Sequence, residues 1–160
     1  MPSTLLAPAG NYAKENWAEL IQVAVEEVFQ MMVGGKATFL PNSELEKKDF
    51  SAMVGLAGAM CGVFTVSAPT DAARAVAASM LGADSVDNTS IMDAMGEVTN
   101  MVAGNFKSKI VALAEGCMLS VPTVVAGGDY EMHSLADGFR TQLCFEFSGQ
   151  KFCVALQLSA

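Results

Sequence analysis

Basic residues are scarce in this chain. Lys and Arg number 9 against 17 Asp and Glu, the net charge is −8, and no basic run is longer than Lys47-Lys48. Phosphate backbones are bound through basic patches, so neither nucleic acid nor an acidic membrane surface is expected as a partner. Histidine is scarcer still, with His133 the single one. A zinc site, or a Ser/His/Asp or Cys/His pair, would need more, and a lone loop histidine reads as a surface residue. Long apolar runs are missing as well. Gly, Glu or Pro interrupts each well before the ~18 residues of a spanning helix, and no basic patch leads an apolar run at the start, so neither a membrane span nor a secretion signal is expected. The four cysteines, Cys61, Cys117, Cys144 and Cys153, show no CxxC spacing and no arginine placed for a cysteine phosphatase. Their neighbours are apolar, so they read as reduced core thiols of a cytoplasmic protein. Gly34-Gly35-Lys36 is no P-loop, because the first glycine is misplaced and no Ser or Thr follows the lysine.

What the chain does have is apolar bulk. With 160 residues, 52% hydrophobic and 16% charged, it can bury one real core and is not a disordered chain. Residues 1–11 read as a loose N-terminal segment and 12–160 as a single domain. Trp17, Leu20, Ile21, Ala24, Val25, Val28, Met31 and Met32 recur at helical period, with Asn16 and Glu19 as a candidate capping box and Gly34-Gly35 as the stop. Lys36 to Leu40, Phe50 to Leu56 and Cys61 to Ser67 read as strands, followed by a short Ala-rich helix over Thr70 to Leu81. Asp87-Asn88-Thr89-Ser90 offers several caps for a second long helix, expected to reach about Ala114 and stop at Gly116. Cys117 to Val121 and Thr123 to Val125 flank Pro122, which suits an edge or a bend. Phe139 to Phe147 and Phe152 to Leu158 alternate apolar and polar around Ser148-Gly149-Gln150, the clearest hairpin in the chain. The eleven methionines mostly fall at core spacing and read as core filling. The fold class is therefore α+β, a mainly antiparallel sheet with two long helices across one face and one shorter helix. The two halves read as weak copies of one plan, with Glu19 and Gln22 standing in the first long helix as Glu97 and Asn100 stand in the second.

The second long helix carries the one chemical surface of note. Glu97 and Asn100 are three apart, which places them side by side on a helix. Asp93, Gly104 and Lys107 extend the same stripe at steps of three or four, while Ile91, Met95, Val98, Val102 and Phe106 form the opposite, core-like stripe. On pattern alone the polar stripe reads first as a solvated helix face.

The string Asp93, Glu97, Asn100, Met101, Gly104, Lys107 resembles the signature helix of the CheC/CheX/FliY family of chemotaxis phosphatases. Ser67-Ala68-Pro69, Met80-Leu81-Gly82, Leu119 to Val124 and Gly127 also resemble the family's pattern, and within the family the chain is most similar to CheX. CheC-type members carry two ExxN sites, whereas here the first helix offers Glu19 and Gln22, which implies a single working site. FliY-type members carry an added motor domain, for which no room is expected. The resemblance implies a CheC-like fold and a phosphatase that hydrolyses the aspartyl phosphate of a CheY-like response regulator, in chemotaxis or another two-component pathway. It implies Glu97 and Asn100 as catalytic, with Glu97 contacting the receiver's active-site lysine, and Asp93, Gly104 and Lys107 as partner-binding. Mg²⁺ is implied to come with the receiver, leaving no metal of the chain's own. A homodimer is implied too, and an edge strand rich in Phe, Val and Leu offers a pairing surface. The alternatives are a receiver-binding adaptor of the same fold without turnover, and an assembly protein of the motor switch.

The residue types suit the implied chemistry. An acyl phosphate is already activated, so its hydrolysis asks for a positioned water more than for a strong base. An amide such as that of Asn100 both donates to and accepts from one water. A carboxylate such as that of Glu97 is repelled by a phosphoryl group and suits a cation beside it. A glycine at 104 lets another backbone come close.

Overall fold

In the computed structural model, residues 16–128, 130–131 and 138–159 are described. The N-terminal segment 1–11 and His133 lie outside them. The elements are α1 (Trp17–Val28), β1 (Thr38–Leu40), β2 (Phe50–Gly58), β3 (Gly62–Ala68), α2 (Thr70–Leu81), α3 (Asn88–Ser108), α4 (Val111–Gly116), β4 (Cys117–Leu119), β5 (Thr123–Ala126), β6 (Arg140–Phe147) and β7 (Gln150–Leu158). The α+β class is as expected. Seven strands form one antiparallel sheet in the order β1-β6-β7-β3-β2-β4, with β5 also paired to β2.

That order is the order of a duplicated plan. Each half supplies a helix, an edge strand and a hairpin: α1, β1 and β2–β3, then α3, β4/β5 and β6–β7. Each edge strand crosses to pair with the other half's hairpin, β1 with β6 and β4/β5 with β2, and the hairpins meet at β3–β7. The Phe-, Val- and Leu-rich hairpin is therefore interior to the sheet and offers no free edge. The edges are β1 and β4/β5, which are short, and Pro122 interrupts the second.

Alternation decides which sheet face is dry. Phe50, Ala52, Val54 and Leu56 on β2, Phe64 and Val66 on β3, Leu143, Phe145 and Phe147 on β6, and Phe152, Val154, Leu156 and Leu158 on β7 all point into the core. The helices cover that face. Trp17 of α1 meets Phe106 of α3 edge-on at 5.6 Å, and Phe29 stacks on Phe152 at 4.9 Å. On the other face Ser51 and Ser67 share a 2.9 Å hydrogen bond, and Tyr130, on the connection from β5 to β6, donates to Ser51 at 2.8 Å. Each of these hydroxyl oxygens has a partner where it is buried, and the crossing segment is tied to that face through Tyr130.

Several local expectations need correction. Asn16 makes no side-chain cap, so the proposed capping box with Glu19 is not formed. A π-helical turn over Phe29–Val33 follows α1, and its extra residue per turn brings Phe29 and Val33 into the core while Met31 and Met32 turn outward. Among the described methionines Met95 is fully buried and Met60, Met80, Met92 and Met101 pack against the core, as expected, while Met31, Met32 and Met118 are exposed. The second long helix stops at Ser108. Ile110 leaves helical geometry at φ −118°, ψ 110°, and the separate short α4 follows. Of the four candidate caps Asp87 is used, accepting from Ser90 N at 2.8 Å. The cysteines depart furthest. Cys144 and Cys153 are bonded to each other, Cys61 is exposed, and Cys117 alone is a free buried thiol.

The pairing follows from the turn. Ser148 and Gly149 have φ of 54° and 78°, a two-residue turn of the primed kind that pairs Phe147 with Gln150. That register sets Cys144 directly opposite Cys153. Among the described residues, no helix is long and apolar enough to cross a membrane.

Candidate functional site on helix α3

Helix α3 divides its surface as the sequence stripe requires. Ile91, Met95, Val98, Val102 and Phe106 are all at or below 1% exposed, while Asp93, Glu97 and Asn100 are exposed and Gly104 and Lys107 are half-buried. The carboxylate of Glu97 and the amide of Asn100 thus stand together on the outer face. Neither has a hydrogen-bond or ion-pair partner among the described residues. The rigid support lies beneath them. Thr99 is buried and returns its hydroxyl to the Met95 carbonyl at 2.7 Å, which spares the core an unpaired donor.

Two glycines bracket Asn100 along one row of the helix. A Cβ on Gly96 would meet Val124 at 3.3 Å and Pro122 at 3.5 Å, and one on Gly104 would meet Leu119 at 3.9 Å. The β4–β5 edge therefore runs alongside the row Gly96, Asn100, Gly104. The first glycine lets helix and edge strand close up. The second has room to spare and leaves a bare stretch of backbone beside Asn100. Asp93 stands one turn before Glu97 at the other end of the stripe, so the two carboxylates give that end a negative face. Lys107 lies in the last turn of α3, where a cation suits the helix dipole. Its charge acts on Cys117, partly opposing the rise that burial causes in that thiol's pKa. The structure thus brings Asp93, Glu97, Asn100 and Gly104 onto one open face and places Lys107 at its C-terminal end.

The first helix carries the matching seat in altered form. When Glu19 is laid on Glu97, the buried positions Trp17, Ile21, Ala24, Val25 and Val28 fall on Met95, Thr99, Val102, Ala103 and Phe106, all buried. Gln22 then falls on Asn100 and Glu26 on Gly104. The Gln22 amide donates to the Glu26 carboxylate at 3.1 Å. Where α3 presents a free amide beside bare backbone, α1 presents a tied amide beside a carboxylate. Sequence reasoning weighed Gln22 and missed Glu26. The signal was the single residue that replaces glycine four positions after the amide.

Among the described residues no group of three His, Cys, Asp or Glu side chains is placed to hold a metal ion. Near the pair the donors are the exposed carboxylates Asp93 and Glu97 with one amide, which fit a cation presented by another molecule better than a resident one.

Known proteins share this fold. The chain is similar to the chemotaxis protein CheX of Vibrio vulnificus, with 18% identity, coverage of 93% of this chain and 100% of that one, and a TM-score of 0.78. It is similar to CheX of Desulfovibrio desulfuricans at 26% identity, 90% and 99% coverage and a TM-score of 0.78. The CheX of a CheX–CheY–BeF₃–Mg²⁺ complex from Borrelia burgdorferi matches at 19% identity, 90% and 98% coverage and a TM-score of 0.70. No curated protein sequence matches the chain. The profile of the chemotaxis phosphatase CheX matches residues 50–148, a span that takes in strands β2 to β6 and all of α2, α3 and α4. The chain belongs to the CheX family of chemotaxis phosphatases.

Proposed function

We propose that the protein dephosphorylates a CheY-like receiver domain carrying an aspartyl phosphate, with Asn100 and Glu97 as the working pair. The observation that carries this reading is the state of the pair: both side chains are exposed on one face of a well-packed helix, adjacent and unpartnered among the described residues. A solvated structural face needs no such combination of a free amide and an open glycine one turn on. The likeness to a CheX that was seen together with CheY supports a receiver as the partner.

In this reading α3 docks against the phosphorylated site of the receiver. The Asn100 amide holds a water in line with the phosphorus, its carbonyl oxygen accepting from the water and its NH₂ donating to the attacking or phosphoryl oxygen. The water oxygen bonds to phosphorus, the bond to the aspartyl oxygen breaks, and the receiver's carboxylate departs with the electron pair. Both of the water's protons leave with the inorganic phosphate. No titrating base is needed, because the leaving carboxylate is already a good one. Glu97 pairs with a lysine of the receiver beside the phosphoryl group, which fixes register and draws that cation into a defined place. Mg²⁺, when bound by the receiver, supplies charge neutralisation of the phosphoryl oxygens. Asp93 and Lys107 extend the contact along α3.

The test is the time course of phosphate loss from a phosphorylated CheY-like receiver, with the parent protein and with Asn100→Ala. The parent accelerates the loss, and the variant binds the receiver without doing so. Binding by the parent without acceleration would make the protein a receiver-binding adaptor.

A further inference from the structure

The edge strand beside α3 carries a device that the catalytic pair does not use. From Leu119 to Thr123 the chain takes four steps while its partner β2 takes three, from Leu56 to Met53. One residue is extra, so β4 and β5 are a single edge strand interrupted by a bulge over Ser120-Val121-Pro122. The bulge is pinned at its start. Ser120 N donates to the Gly55 carbonyl at 2.9 Å, and Gly55 N donates to Ser120 Oγ at 2.8 Å. One residue thus satisfies both backbone groups of Gly55, the hydroxyl standing in for the ladder carbonyl that the bulge displaces. Pro122 has no N–H to continue the ladder, and it holds Val121 before it in extended backbone.

The bulge lies where the partner must come. Leu119 abuts Gly104 and Pro122 abuts Gly96, at 3.9 Å and 3.5 Å from the positions of added Cβ atoms. Asn100 stands between those glycines, one turn from each. The backbone at Val121, between Leu119 and Pro122, therefore passes beside the row that carries Asn100. Val121 is 85% exposed, more than any other large apolar side chain among the described residues. An apolar side chain held out on a pinned backbone gains nothing from water, and becomes favourable when another surface covers it.

We propose that Val121 is a docking contact for the receiver domain, meeting an apolar side chain at the rim of the receiver's phosphorylation site and helping to select it. The inference rests on the phosphatase reading. A body that brings an acyl phosphate to Asn100 covers the row from Glu97 to Gly104, and the bulge borders that row, so the same body covers Val121. Glu97 then contributes charge to the contact and Val121 apolar burial beside it.

The experiment uses the full chain and a CheY-like receiver, charged with acetyl phosphate, that the parent protein dephosphorylates. Val121→Asp raises KM about ten-fold, the order expected for losing one buried valine and placing a charge there, and leaves kcat near the parent value. Val121→Ala gives a smaller rise, and Val121→Ile restores the parent KM. Melting temperature and sedimentation stay as in the parent. A parent-like KM for Val121→Asp overturns the inference, and leaves the phosphatase reading standing if Asn100→Ala still loses kcat on the same receiver. A shift of Val121→Asp from dimer to monomer with KM unchanged also overturns it, because the occupant is then a second copy of this chain. Full activity of Asn100→Ala overturns the phosphatase reading itself.

Discussion

Gly104→Ala separates the needs of the fold from those of the partner. Gly104 lies inside α3, where alanine is favoured over glycine by about 0.8–1 kcal/mol because less backbone freedom is lost on folding. The new methyl group meets Leu119 at 3.9 Å, an ordinary contact, so nothing subtracts from that gain. For a chain of this size ~1 kcal/mol raises the melting temperature by about 2–4 °C. Function should move the other way. If the receiver's backbone comes down onto the bare helix beside Asn100, a methyl group holds it off by about an ångström, and a displacement of that size costs up to ~10²-fold in catalysis. The assays are thermal melting and kcat/KM on a phosphorylated receiver. A more stable, markedly less active variant is the expected outcome. A more stable variant with parent activity would show that nothing approaches Gly104 closely, and a less stable one would show that the room beside Leu119 is not there. Gly96→Ala is the control. Its Cβ would lie 3.3 Å from Val124, so the helix gain is offset by a tight contact and the melting temperature stays within about 2 °C of the parent.

The remaining predictions concern the pair, its counterpart and one distant cap. Asn100→Ala lowers kcat with receiver binding comparatively intact, whereas Glu97→Ala weakens binding as well and Glu97→Gln recovers little. Both side chains are exposed and unpartnered among the described residues, so melting shows a change of no more than about 0.5 kcal/mol, and a large loss would return the stripe to a structural role. Gln22→Ala loses its bond to Glu26 and leaves dephosphorylation nearly unchanged; a large loss of activity with the fold intact would mean two working sites. Asp49 accepts from Thr70 N at 2.8 Å and from Thr70 Oγ1 at 2.9 Å at the start of α2, and the backbone bond first, the hydroxyl bond next, hold its pKa below the usual carboxylate range. A lowered folded pKa means stability present in full above the unfolded value of about 3.9 and lost as pH falls through the folded value. Asp49→Asn therefore melts lower near neutral pH, by the equivalent of about 1 kcal/mol, and the difference closes in acid; a pH-independent difference would refute the ionic part.

How much of this could be read before the structure depended on the range of the determinants. Thr70–Leu81 was legible to the residue, because Asp71 and Gly82 punctuate an Ala-rich run and the signals are local. The buried stripe of α3 was legible because its period runs through six turns of one element. Its end was not. Ile110, Leu113 and Ala114 continue the apolar period past Ser108, and the break at Ile110 is imposed by the turn toward the β4 edge, which no nearby residue announces. The interior place of the hairpin was hidden for the same reason, since β1–β6 and β3–β7 pair residues far apart in sequence. The cysteine pair was within reach and missed by one residue of turn. A three-residue turn over Ser148-Gly149-Gln150 sets Cys144 opposite Val154, and a two-residue turn sets it opposite Cys153. Two successive positive φ values decide for the second.

The duplicated plan gives the site its context. A fold that repeats a helix over a sheet offers two equivalent helix faces, and the burial pattern shows that α1 and α3 present theirs in register. Packing has kept both helices, because each holds an aromatic of the same cluster, Trp17 on α1 and Phe106 on α3. The outer faces carry no such constraint and have diverged. On α3 the amide is free and the residue one turn on is glycine. On α1 the amide is a methylene longer, donates to Glu26, and would meet an arriving phosphoryl group with a second negative charge where α3 has none. Each difference by itself weakens a water-positioning role, the first by displacing the amide and the second by occupying it. Reverting Gln22→Asn alone should therefore restore nothing. Gln22→Asn with Glu26→Gly removes both obstacles and is the smallest change that could open the second seat. It is scored by phosphate release in an Asn100→Ala background, where any acceleration comes from α1. If the double substitution gives no turnover while still binding receiver, the obstacle lies in the surroundings of α1, where the described edge strand β1 pairs in unbroken register, and the Ser120–Pro122 bulge becomes part of what makes α3 a site.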